Sequence, residues 1–435
     1  MKVAYLTAGA GGMYCGSCMR DNTLAAALLR GGRDVVLIPV YSPIRTDETD
    51  VSQSCVYYGG INIFLQQQSG LFRHTPRLFD RLLDYPPLLR RAMKSAGSTT
   101  PSDVTPLIIS ILQGEAGAQR KELARLIDGL AELNVQLVHL PNALFVGLAR
   151  RMTEALGVPV VCTLTGEDIF IDKLPDSAQA DVIDLIREGS RHVAAFLSLT
   201  RYYANHAGER FGLPPEKVHY VPMGICAEER DDQPNDDAHL QAGDVGPFTI
   251  GYLARICPDK GAHVLCDAFE ELHRRGRECR LVIAGYTGSG DRGYHERLQA
   301  RMVGQNLQGF VEFLGEVDRA GKFDMLRRID VLSVPTLYRE AKGLYILEAL
   351  SQGVPVVQPD HGSFPELIEA TGGGILFEPH SATALADALE RLMDDPSHRA
   401  SLGRAGRAAV RASFTDDIMA QKVWDVFERV ARLHG

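Results

Sequence analysis

Short apolar runs recur along this chain at intervals that leave room for a helix between them. They are VAYL near residue 3, VVLIPV at 35–40, QLVHLP at 136–141, VPVVCTL at 158–164 and AFLSL at 195–199. FTIGYL at 248–253, CRLVIAG at 279–285, VEFLG at 311–315, VLSVP at 331–335, VPVVQP at 354–359 and GGILFEP at 373–379 continue the series. Runs of this kind, closed by Gly or Pro, predict strands buried on both faces. Between them lie stretches with the helical period, such as MRDNTLAAALLRGG, ALFVGLARRMTEALG and ILEALSQG, several of them stopped by glycine. Strand and helix in alternation predict βαβ units and parallel sheets, an α/β chain.

The pattern starts twice. KVAYLTAG opens into Gly9, Gly11 and Gly12 and then a helix, and FTIGYLARICPDKG does the same from residue 248. Each is a Rossmann-type beginning, in which glycines let the backbone approach a bound anion. Between the halves, residues 225–246 are polar, acidic and poor in apolar residues, which predicts a linker. The expected organisation is a first domain over 1–224, the linker at 225–246, and a second domain over 247–414. A final amphipathic helix over 415–435, FTDDIMAQKVWDVFERVARL, follows. Residues 41–130 exceed an ordinary βα connection. Within them KELARLIDGLAEL reads as a helix, and 72–94 carries six Arg/Lys against two Asp with Leu and Phe at helical spacing. That stretch suits either a peripheral membrane or anionic-acceptor surface, or a packed helix with solvated arginines.

Candidate chemistry concentrates at loops that follow strands, where open α/β sheets bind ligands. Glu340 lies in the loop after VLSVP, and Glu348 lies eight positions on, in the next helix. Gly343 and Leu344 put backbone N–H groups at the start of that helix, suited to an anionic oxygen. Arg255 and Lys260 lie in the loop after FTIGYL, just before a helix, where two cations and the helix dipole can neutralise a diphosphate. In the first half His139, Thr165 and Asp168 stand at or just past strand ends. His139 reads equally as a core histidine or a substrate contact. Cys15 and Cys18 form C-x-x-C before the first helix, open to three readings: helix-start packing, a redox pair, or part of a metal site.

The stretch E-A-K-G-L-Y-I-L-E-A-L-S-Q-G-V-P-V-V from Glu340 resembles the E-x(7)-E signature of retaining glycosyltransferases of the GT-B fold, family 4. It departs from the signature at Ala341 and Lys342. G-Y-L-A-R-I-C-P-D-K-G from Gly251 is similar to that family's G-R-L-x-x-x-K-G, with Tyr252 where Arg is common. The resemblance implies two Rossmann-like domains facing across a central cleft, with the last helix crossing back to the first. By it, Glu340 contacts the donor sugar, Glu348 holds the nucleotide ribose, and the loops at Gly12 and Gly285 face the donor. Arg255 and Lys260 then neutralise the leaving diphosphate. His139 keeps part of the family's H-x-H, and Asp168 keeps the acid of a second motif in which Thr165 replaces His, so the acceptor side departs most. The implied activity is transfer of a sugar, with retention, from a UDP, GDP or ADP sugar to a hydroxyl of a saccharide, lipid or small molecule. No D-x-D occurs, so no metal or other cofactor is expected. A GT-B epimerase or phosphorylase, or a redox or metal module built on Cys15 and Cys18, are the alternatives.

Composition narrows this modestly. The 435 residues carry a net charge of −9 with a pI near 5.8, which argues against bulk nucleic-acid binding. Eight scattered cysteines, at 15, 18, 55, 162, 226, 257, 266 and 279, fit a reduced, cytoplasmic protein.

Overall fold

The structure, a computed structural model, describes residues 1–9, 15–53, 101–226 and 246–434. Gly12, the basic stretch 72–94 and linker residues 227–245 lie outside the described residues. The chain forms two compact units, Met1–Met223 together with Asp416–Gly435, and Gly224–Thr415.

The first unit is built on β1 (Lys2–Thr7), β2 (Asp34–Pro39), β3 (Leu137–Leu140), β4 (Val160–Leu164), β5 (Ala195–Ser198) and β6 (Val218–Tyr220). All pairings are parallel, in the order β2-β1-β3-β4-β5-β6. The order reverses between β1 and β3. Its helices are α1 (Gly16–Arg30), α2 (Pro101–Leu112), α3 (Arg120–Glu132), α4 (Ala149–Leu156), α5 (Glu167–Ile171), α6 (Asp176–Ser190) and α7 (Arg201–Phe211). β3 and β4 are buried along their whole lengths, which is why their sequences are continuously apolar. Two features differ from the sequence reading. Residues Ala143–Leu148 wind as a 3₁₀ turn rather than the first half of an α-helix, started by Asn142, whose side chain accepts from Leu144 N at 3.1 Å. The long excursion also contains α2, which its apolar content hid among neighbouring apolar segments.

The second unit repeats the plan with β7 (Phe248–Leu253), β8 (Cys279–Ala284), β9 (Val311–Gly315), β10 (Val331–Leu332), β11 (Val356–Pro359) and β12 (Gly374–Phe377). Their order is β12-β11-β10-β7-β8-β9, again parallel, and it reverses between β10 and β7. The helices are α8 (Ala262–Arg274), α9 (Arg292–Gly304), α10 (Arg319–Arg327), α11 (Leu344–Ser351), α12 (Phe364–Thr371), α13 (Ala382–Asp394) and α14 (Pro396–Ser413). VLSVP contributes only two residues to β10. Ser333 N still donates to Gly251 O at 2.9 Å, but Pro335 has no N–H, and Thr336 N turns back to Val334 O at 2.8 Å. The expected linker 225–246 does not begin loose: Ile225 bridges to Thr415, with Ile225 N donating to Phe414 O at 3.0 Å.

The last helix, α15 (Asp416–His434), belongs to the first unit. Met419, Val423, Trp424, Phe427 and Val430 share a core with Val3, Tyr5, Leu24, Leu28, Val161 and Leu197. Its fully buried first-turn Asp416 accepts from Arg30 at 2.6 Å, a favourable placing of a carboxylate at a helix N-terminus. No helix among the described residues is long and apolar enough to cross a membrane.

Candidate active site

The second unit's reversal point brings two loops together. One leaves β7 and carries Arg255 and Lys260; the other leaves β10 and carries Tyr338 and Glu340. They are stitched by Leu337 N donating to Asp259 O at 2.9 Å. Gly261, at φ 71°, ends the 3₁₀ turn Pro258–Lys260, and a Cβ there would stand 1.8 Å from Pro335 O, so only glycine allows the approach. Gly285 does the same after β8. Its φ of 154° and a hypothetical Cβ 1.7 Å from Ala254 O tie that loop to the start of the Arg255 loop.

Across this contact Lys260 Nζ donates to Glu340 Oε2 at 2.5 Å, 80 residues away in sequence. Tyr338 Oη donates to the same oxygen at 3.1 Å, and Lys342 N to Oε1 at 3.4 Å. The Lys260 ammonium lies 5.0 Å from the Tyr338 ring centroid and 5.4 Å from that of Tyr345. Glu340 is only 5% exposed. Burial alone would raise its pKa. The Lys260 charge and hydrogen bond, with Lys342 and Tyr338, outweigh burial and hold it at about 2. The site is therefore a pre-formed pair with Glu340 held as the carboxylate. Arg255 is exposed, and its Nε donates to Cys257 Sγ at 3.3 Å, a weak acceptor that leaves the guanidinium able to take a stronger one.

Gly343, at φ 74°, starts α11, and Leu344 is the first helical residue; no side chain caps the N-terminus. Glu348, one turn further, is 7% exposed and accepts from Lys322 Nζ of α10 at 2.7 Å. Sequence reading missed Lys322, Tyr338 and Tyr345. Tyr338 was within reach, since it lies only two positions before Glu340 in the same loop. Lys322 left a fainter trace, a cation flanked by Phe323, Met325 and Leu326 on a helix.

In the first unit the residues sort differently. His139 needs correcting as a substrate contact. It is fully buried in β3, stacked on Tyr5 with ring centroids 3.8 Å apart, and its Nε2 shares a 2.6 Å hydrogen bond with Thr163 Oγ1. Burial, then the charge of Arg20, keeps it neutral. Thr165 and Asp168 do come together, around a residue the sequence did not single out. Glu167 Oε1 accepts from Ala143 N and Thr165 N at 3.0 Å, and its Oε2 from Gly166 N at 3.1 Å and Tyr203 Oη at 2.8 Å. Asp168 Oδ2 lies 3.2 Å from His206 Nε2.

Neither Cys15 nor Cys18 forms a disulfide. A hydrogen bond with Cys15, then burial, pushes the Cys18 thiol well up, opposite to the lowered pKa of a redox-active cysteine. No group of three or more His, Cys, Asp or Glu among the described residues could hold a metal. Replacing both cysteines by serine is expected to leave melting temperature and nucleotide binding at parent values. Zinc bound one per chain and lost in the double variant would contradict this.

Comparison with known proteins agrees with both halves. The family Glycosyltransferase Family 4 matches residues 102–229, and Glycosyl transferases group 1 matches 237–409. A GDP-mannose-dependent monoacylated alpha-(1-6)-phosphatidylinositol monomannoside mannosyltransferase of Corynebacterium glutamicum is 27% identical over 303 residues, 67% of this chain and 75% of the relative. Sucrose-phosphate synthase from Thermosynechococcus elongatus shares the fold over 100% of both chains, with TM-score 0.71 and 16% identity. So does Anabaena HepE in complex with UDP, over 99% of this chain and 100% of that one, with TM-score 0.69 and 17% identity. Two six-stranded parallel sheets, a paired Lys260 and Glu340 at the reversal point, and family matches in each half lead to one conclusion: the chain belongs to the family-4 glycosyltransferases of the GT-B fold.

Proposed function

We propose that this enzyme moves a sugar from a nucleoside diphosphate sugar to a hydroxyl acceptor, with retained configuration and without a metal ion. The observation that carries the reading is the Lys260–Glu340 pair at the reversal point, with exposed Arg255 in the same loop as Lys260. As the donor's anomeric C–O bond breaks, the bonding pair leaves with the diphosphate. The anomeric carbon passes to the acceptor oxygen, whose proton goes to the departing diphosphate oxygen. Lys260 and Arg255 balance the charge growing on the diphosphate, assisted by the uncapped N-terminus of α11. Lysine has three N–H donors, so Lys260 can hold Glu340 and a phosphate oxygen together. Glu340 contacts the donor sugar, and Glu348 the ribose. The loop at Gly285 completes the donor side. Thr165 and Asp168 serve the acceptor, joined by His206. We place the reaction in the cytoplasm, with peripheral membrane contact through 72–94 where the acceptor is a lipid; the Corynebacterium relative is named for a lipid acceptor, a phosphatidylinositol monomannoside.

The relatives' names carry two different nucleotides, GDP and UDP. Thermal-shift screening with UDP, GDP and ADP and their sugars is therefore the first test, since a ligand of the native state raises stability by mass action. One nucleotide is expected to raise the melting temperature well above the others. Glu348→Ala should then weaken binding of that nucleotide by about 1.5–3 kcal/mol, the loss of a charge-assisted hydrogen bond. No shift with any of the three, or an unchanged affinity in Glu348→Ala by calorimetric titration, overturns the donor assignment.

A further inference from the structure

We propose that Lys322 is a positioning residue for donor binding, which holds the Glu348 carboxylate aimed at the nucleotide's ribose diol. The inference rests on the ribose assignment of Glu348 above and extends it to a residue on a different helix. Both side chains are nearly buried, at 8% and 9% exposure, with 2.7 Å between Lys322 Nζ and Glu348 Oε1. A carboxylate so placed with no cation would be costly to bury, and would turn outward. The ammonium takes one carboxylate oxygen and so fixes the direction of the other, Oε2, which is the geometry a diol needs from an acceptor. Lys322 is itself held. Its backbone N donates to Asp318 O at 2.8 Å, and its ammonium lies 5.0 Å from the Phe323 ring centroid. Asp318 caps the same helix through Gly321 N at 2.8 Å, so α10 presents the lysine from a fixed first turn. The arrangement spans 26 residues and two helices, and neither helix alone could impose it.

The experiment compares two probes: the nucleoside diphosphate that gives the largest melting shift in the screen above, and its 2′,3′-dideoxy form. Their affinity ratio isolates the diol, because base and diphosphate are common to both. The parent is expected to prefer the ribose form by about 10- to 100-fold, and Glu348→Ala to erase that preference. Lys322→Met is expected to cut the preference about tenfold while affinity for the dideoxy probe stays at the parent value. Lys322→Arg, which keeps a cation, is expected to retain most of it. If Lys322→Met melts too low for titration, Lys322→Gln serves in its place, and the Arg variant still reads the charge requirement. A parent preference lost in Glu348→Ala but intact in Lys322→Met overturns the positioning role and leaves the ribose assignment standing. Equal weakening of both probes by Lys322→Met also overturns it, since that is loss of structure rather than of diol recognition. No preference in the parent overturns the ribose assignment itself, and the inference with it.

Discussion

Lys260→Ala is expected to lower turnover about 100- to 1000-fold, the usual loss when one pre-placed donor to developing charge is removed, while EDTA leaves the parent's rate unchanged. Lys260 is already aimed before the donor arrives, held by Glu340 Oε2 at 2.5 Å and by the rings of Tyr338 and Tyr345. Its removal has a second consequence. In the parent, Glu340 has a folded pKa of about 2, below its ordinary value of about 4.3. A depressed carboxylate contributes stability that is fully present above the unfolded value and lost as pH falls from about 4 to about 2. The parent therefore gains no acid limb from Glu340 at any pH where transferases are assayed. Without Lys260 the burial that raises this pKa is opposed only by Lys342 and Tyr338, and Glu340 protonates at higher pH. The variant's residual kcat/KM should fall as the medium becomes mildly acidic, where the parent's does not. A turnover within tenfold of the parent, or full inhibition by EDTA reversed by manganese or magnesium, would defeat the metal-free reading.

Phe427→Ala is expected to destabilise the first unit by about 3–5 kcal/mol, a large share of a typical domain's 5–15. Phe427 is fully buried on α15, with its ring 6.1 Å from His139 and 6.3 Å from Trp424. Trp424 is the chain's single tryptophan, so its fluorescence in urea follows the unit to which α15 belongs. Leu433→Ala, at a residue 83% exposed on the same helix, should change stability by no more than about 0.5 kcal/mol. A Phe427→Ala midpoint shift worth under 1 kcal/mol would mean that the helix does not complete this core.

Much of this molecule can be read from local pattern. Continuously apolar runs mark buried parallel strands because such strands have no solvent face, and eleven of the twelve strands lie in or overlap runs visible in the sequence. The remaining one, β6, is partly exposed along its length and lies in VHYVPMG at 218–224, a run that the sequence also shows closing the first half. Glu340, Glu348, Arg255 and Lys260 were legible because each sits in a loop or helix start whose chemistry depends on a few neighbouring residues. What those residues touch was not legible. Lys260 meets Glu340 only because the reversal of strand order sets β7 beside β10, and Glu348 meets Lys322 only because α10 packs near α11.

His139 shows the same division from the other side. A histidine near a strand end looks identical in sequence whether it faces a ligand or a core. The parallel register opposite Tyr5, together with Thr163 on the neighbouring strand, puts this one inside. The last helix was recognisable by its amphipathic period, but an apolar stripe does not name the surface that covers it. By itself, then, the sequence determined the alternating strands and helices, the two Rossmann-type openings and the charged residues of the loops after β7 and β10, because these follow from residue type and short spacing. The pairing of Lys260 with Glu340 and of Lys322 with Glu348, the burial of His139 and the seating of α15 on the first unit were decided by tertiary structure. Each depends on which distant segments pack together, and no local pattern carries that information.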